Sequence, residues 1–193
     1  MRRLLPVVAA VVVACAAATG SCAQQRQPPA AQVKPAGCPT GAGTPIKGLP
    51  STSLPCLSGP GRVHVSAVHG RPEVINFWAS WCGPCREEMP LLQRMHRRAG
   101  DSVLFLGVDV KDDKAKARSF LRRLGVTYPQ VYDTLGGFPI SLRWSGVPDT
   151  LVISASGRVV YRHAGPVTER GLARALTRAG ATASASPHAS ASA

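Results

Sequence analysis

The chain has 193 residues, 45% of them hydrophobic and 17% charged, which suits one globular domain with tails, because a core of ordinary size takes roughly 100 to 150 residues. Two domains of usual size are excluded on length. The formal net charge of +13 attracts anionic surfaces in general, yet the basic residues from Arg86 to Arg123 lack the interleaved aromatics that stack on bases; a nucleic-acid partner is therefore not expected, and these residues read as solvated helix faces suited to an anionic membrane surface.

Met1-Arg2-Arg3 gives a positive start, and Leu4 to Ala18 is an apolar run too short for a bilayer span, which needs about 20 residues. This layout predicts a secretory signal over 1–21. Thr19-Gly20-Ser21-Cys22 resembles a bacterial lipobox, which makes Cys22 the expected lipid anchor. Val12-Val13-Ala14-Cys15 is a rival site, and cleavage after Ser21-Cys22-Ala23 with release of a secreted protein is the alternative; each reading takes the mature domain out of the cytoplasm. Residues 22–50, rich in Gln, Pro, Ala and Gly, are expected to form a flexible tether.

The domain is expected over 51–179. Leu54 to Leu57 and Arg62 to Ser66 form a short strand pair, and Glu73 to Trp78 is a continuous apolar run suited to a buried central strand. Gly83 to Ala99 has Met89, Leu92, Met95 and Ala99 on one helical face, Val103 to Val110 is a second buried strand, and Asp112 to Leu124 is a charged amphipathic helix. Pro129 to Tyr132 is a short strand, and Gly136 to Trp144 a helix interrupted by Pro139. Thr150 to Ser154 and Arg158 to His163 flank Ala155-Ser156-Gly157 as a hairpin, and Thr168 to Ala179 closes the domain as a helix. Strands and helices in this order imply an α/β sandwich. Residues 180–193, small and polar, are expected to be disordered.

The chemistry sits in Trp81-Cys82-Gly83-Pro84-Cys85. A Cys-x-x-Cys that follows a buried strand and opens a helix puts the first sulfur at the helix N-terminus, where free amides and the dipole favour a thiolate. Cys82 is thus the expected nucleophile, and Cys85, three residues on, the thiol that resolves a mixed disulfide. Pro84 is tolerated in the first turn, where no intrahelical donor is required. Half a zinc site and a static bridge are weaker readings: Cys38 and Cys56 are not a close pair that would complete a tetrahedral site, and closing so short a loop gains little. No metal or cofactor is expected.

The run from Val74 through Cys82-Gly83-Pro84-Cys85 to Pro90 resembles the extracytoplasmic thioredoxin-like family of the TlpA/ResA type, and the likeness extends from about Leu49 to Ala179. The resemblance implies a thioredoxin fold: a central mixed sheet flanked by helices, with an N-terminal strand pair and an inserted strand–helix element around Phe105 to Pro129. Gly146-Val147-Pro148-Asp149-Thr150 is similar to the loop that carries a cis-proline beside the dithiol, which implies that Pro148 is cis and that Val147 offers backbone groups to a substrate chain; without the resemblance, Pro148 would read as an ordinary turn proline. Thioredoxin has a buried aspartate six residues before its first active cysteine, where this chain has Asn76. The resemblance instead implicates Glu88 as the base for Cys85, against the plainer reading of a first-turn glutamate complementing the helix dipole. Trp78 and Trp81 are expected to frame the dithiol with Gly83 and Pro84, although Trp78 also fits a core position.

In an oxidising compartment Cys38 and Cys56 most simply form a structural disulfide, with a relay role as the sharper alternative. His64, His69, His96, His163 and His188 read as surface or packing residues. The expected function is thiol–disulfide exchange with thiols or disulfides of exported proteins, in the reducing direction because Gly-Pro separates the cysteines, with apocytochrome c maturation as one setting and a membrane electron donor or acceptor as partner. A disulfide-donating oxidase uses the same residues. A thiol peroxidase lacks support, since Ala79 stands where that chemistry needs Thr or Ser, and a non-enzymatic client-binding module is the remaining alternative.

Overall fold

The computed structural model describes residues 36–181 apart from positions 42 and 142. The signal, Cys15, Cys22, His188 and residues 182–193 of the expected tail lie outside the described residues.

Five strands form the central sheet in the order β7-β6-β5-β8-β9: β5 (Glu73–Trp78), β6 (Leu104–Val110), β7 (Gln130–Asp133), β8 (Asp149–Ile153) and β9 (Val159–Ala164). The β5–β6 and β6–β7 pairs are parallel, and β5–β8 and β8–β9 are antiparallel, so the sheet is mixed. Every residue of β5, β6 and β8 is buried, as expected of strands covered on both faces.

Alternation along the strands divides the core in two. Val74, Trp78, Phe105 and Val152 face α1 (Gly83–Ala99), α2 (Lys114–Leu124) and α4 (Glu169–Arg178), whereas Ile75, Phe77, Leu106, Val108 and Ile153 face the N-terminal segments and Phe138 of the short α3 (Gly137–Ser141). Helix ends are capped by side chains: Asp113 accepts from the amides of Ala115 and Lys116, Thr168 accepts from that of Gly171, and Gly125 ends α2 in the left-handed conformation that glycine adopts without strain.

Three expectations are corrected here. Part of the tether expected over 22–50 belongs to the fold: β1 (Thr44–Pro45) pairs with β4 (Ala67–Val68), and Ile46 is buried against the strand-covered side of the core. The helix expected over 136–144 is limited to Gly137–Ser141; Asp133 accepts hydrogen bonds from the amides of Gly136, Gly137 and Phe138 at its start. The N-terminal pair β2 (Ser53–Pro55) and β3 (Arg62–His64) is shorter than expected, with Cys56 bridging onwards to Val131 of β7.

Candidate active site

Strand β5 ends at Trp78, and Cys82 caps α1. Its Sγ accepts a hydrogen bond from the Cys85 amide at 3.1 Å, placing the sulfur on the free donors of the helix end. Pro84 occupies the first turn, where its missing N–H costs nothing. Cys82 and Cys85 are joined as a disulfide with Cα atoms 5.3 Å apart, and both are buried beneath the exposed residues Trp81, Gly83 and Pro84.

The register brings Pro148 to the same end of the sheet. Asp149, the first residue of β8, pairs with Phe77, next to the last residue of β5, and the preceding Val147–Pro148 bond is cis. Asp149 is buried, and its Oδ2 accepts from the Arg162 guanidinium at 2.8 and 3.2 Å.

Glu88 lies one helical turn beyond Cys85 on the same side of α1. Its buried carboxylate accepts from Asn76 Nδ2 at 2.8 Å and from the Val167 amide at 3.0 Å, and Asn76 Nδ2 also donates to Thr150 Oγ1 at 3.1 Å. Burial pushes the Glu88 carboxyl above the usual range, partly offset by the Val167 and Asn76 hydrogen bonds and the His163 charge. Asn76 is therefore the neutral partner of a buried acid rather than an acid itself.

The two tryptophans part company. Trp78 is fully buried, stacks on Phe120 with centroids 5.2 Å apart and donates from Nε1 to Gln130 Oε1 at 2.9 Å, so it packs behind the dithiol as core and does not line the surface. Trp81 is 61% exposed, held by a 3.2 Å hydrogen bond from its indole N–H to the Lys111 carbonyl.

Cys38 and Cys56 form a disulfide, placing the N-terminal segment on the β7 side of the fold. Of the histidines, His96 packs edge-on against Phe105 and Tyr128, and burial lowers its pKa. His69 contacts Glu73 through its ring Nδ1 at 2.8 Å, at the strand end remote from the dithiol; burial raises the Glu73 carboxyl.

Sequence reasoning missed Asp109 and Asp112. Asp109 is fully buried on β6, paired in register with Trp78, and neither carboxyl oxygen has a donor among the described residues. Burial, then the neighbouring Asp112 carboxyl, push its pKa up to about 8. Asp112 accepts hydrogen bonds from the Ser80 amide and, at 2.9 Å, from the Ser80 hydroxyl, which braces the segment leading into Cys82. An acid inside the apolar run Phe105 to Val110 was the available signal.

A Cys-x-x-Cys at the N-terminus of the first long helix, with a cis-proline across the sheet end, defines a thioredoxin-fold dithiol protein. The Redoxin family profile matches residues 42–177. The chain belongs to the Redoxin family. It is 35% identical over 127 residues to the thiol:disulfide interchange protein DsbE of Yersinia pestis, a match covering 64% of this chain and 66% of that protein, just under two thirds of its length. It is 40% identical over 105 residues to the thiol:disulfide interchange protein HelX of Rhodobacter capsulatus, covering 52% of this chain and 56% of the relative. Among solved structures, a DsbF homologue from Corynebacterium diphtheriae superposes with a TM-score of 0.61 at 26% identity, covering 75% of this chain and 98% of that one.

Proposed function

We propose that this protein catalyses thiol–disulfide exchange on exported proteins outside the cytoplasm, in the reducing direction. In the reduced enzyme the Cys82 thiolate attacks a substrate disulfide, forming a mixed disulfide and expelling one substrate sulfur as a thiolate. Cys85 then gives its proton to Glu88 and attacks Cys82 Sγ, releasing the second substrate sulfur and leaving the Cys82–Cys85 disulfide. Two electrons pass to the substrate in each cycle, and a membrane electron donor restores the dithiol.

The observation that carries this reading is the placement of Cys82 Sγ on the amide of Cys85 at the start of α1, with the raised Glu88 carboxyl one turn further along the same helix. Trp81, Gly83 and Pro84 frame the opening, and Pro148 with the Val147 backbone receives the substrate chain. The Cys38–Cys56 disulfide supports an oxidising compartment. Apocytochrome c before haem attachment is the proposed setting, with Cys22 as lipid anchor; the last rests on Thr19 to Cys22 of the sequence.

Replacing Cys85 with Ser should trap substrates as mixed disulfides on Cys82, recoverable from cells and released by dithiothreitol. A redox titration tests direction: a potential near that of strong oxidants, about −120 mV, overturns the reducing assignment in favour of disulfide donation through the same residues.

A further inference from the structure

The Asp109 carboxyl has nowhere to place a negative charge. It is fully buried on β6, and neither oxygen receives a hydrogen bond from any donor among the described residues. Val108 and Val110 point to the strand-covered side of the core, so Asp109 points to the helix side, which it shares with Trp78, Cys82 and Cys85. The Asp112 carboxyl acts on it both as a negative charge and as a hydrogen-bonding neighbour. Two carboxyls can bond in this way only when one of them carries a proton, and the buried member is the one that keeps it. Asp112, being better placed for charge, accepts from the Ser80 amide and hydroxyl and from its own neighbour's amide at Asp113.

We propose that Asp109 is a positioning residue of the dithiol: its protonated carboxyl donates to Asp112 and so fixes the carboxylate that holds Ser80, from which the chain runs through Trp81 into Cys82. The inference concerns how the loop is held, and it rests on the reading of Cys82 as the attacking thiol. Loss of the Asp109 proton sets two like charges against each other in a dry site, and the grip on Ser80 loosens. Among the described residues, no ionisable group relieves this repulsion by ion pairing with Asp109. Asp113 adds a further negative charge from the same loop, while β5 contributes Trp78, which does not titrate. Tyr132 of β7 is engaged by donating its hydroxyl to the Asp112 carbonyl, with Lys114 over its ring at 4.6 Å. On the helices, Arg86 lies over Phe120 and Arg118 donates to the Leu57 carbonyl.

The test follows the Ser80 amide and the Trp81 indole N–H by nuclear magnetic resonance in the isotope-labelled, oxidised protein between pH 6 and 10, together with the hydrogen-exchange protection factor of Ser80. In the unmodified protein both resonances should titrate with a midpoint near 8, and protection of Ser80 should fall about tenfold across the transition, the size of one lost charge-assisted hydrogen bond. Asp109→Asn, whose amide still donates to Asp112, should abolish the titration and keep the low-pH resonance positions. Asp112→Ala, which removes the acceptor, should show the unprotected Ser80 amide at every pH. Resonances that do not move between pH 6 and 10, or a titration that persists in Asp109→Asn, overturn the proposal. Mass mapping of iodoacetamide adducts on the reduced protein separates the two readings: alkylation of Cys85 in place of Cys82 defeats the nucleophile assignment and leaves the Ser80 result standing by itself.

Discussion

Replacing Asp109 with Asn tests the energetics of the buried acid directly. Its carboxyl titrates near 3.8 as an ordinary side chain and near 8 in the fold. A raised carboxyl pKa means that the native state binds the extra proton, so stability from this group is highest at low pH and falls as pH rises from about 3.8 to about 8, then levels off. At about 1.4 kcal/mol per pH unit, the cost at pH 7 is roughly 4 kcal/mol, an upper figure because local relaxation admits water. Asn carries no such slope. Urea unfolding of both proteins from pH 5 to 9 should give a difference in stability that grows in favour of Asp109→Asn by about 1.4 kcal/mol per pH unit until it flattens near pH 8 and is constant above it. Glu73 and Glu88, also raised by burial, contribute equally to both proteins and cancel in the difference. A difference that is flat from pH 5 to 8 refutes the argument, whatever its absolute value.

Glu88→Gln should slow release of the mixed disulfide by roughly a hundredfold while sparing the initial attack by Cys82, a split visible in single-turnover kinetics; the wild-type release rate should rise with pH through the raised carboxyl pKa and the variant's should not. Removing the Cys38–Cys56 link with a double Cys→Ala change should lower stability by about 3 kcal/mol in chemical denaturation, without altering exchange rates measured below the transition. Gly107→Ala would set a Cβ 1.8 Å from Gln130 Oε1 and push aside the acceptor of the buried Trp78 indole; a loss of about 2 kcal/mol or more is expected, and a neutral result would show that Gln130 repacks freely.

Much of the fold could be read from local pattern. The uninterrupted apolar runs of β5 and β6 and the helical spacing of Met89, Leu92 and Met95 are set by neighbours in the chain, and Cys82 at a strand-to-helix junction carries its chemistry with it. Where pairing partners are distant, the pattern was silent. Strands β1 and β4 have two residues each, too few for any period, and they exist because Thr44 and Pro45 meet Val68 and Ala67. Trp78 and Trp81 are the same residue type three positions apart, yet one is core and the other exposed, because β5 ends between them. Asp109 stood out only as an acid within an apolar run, and its isolation could not be read there, since it depends on what β5, β7 and the following loop fail to offer it.

The link between Cys38 and Cys56 also has a mechanical reading. A pull on the chain ahead of Cys38 passes through sulfur to Cys56, which bridges to Val131 at the sheet edge, and bypasses residues 39–55. Strand β1 and the start of the β2–β3 hairpin are thereby spared the load. The covalent shortcut lets the domain be tugged from Cys38 without being peeled.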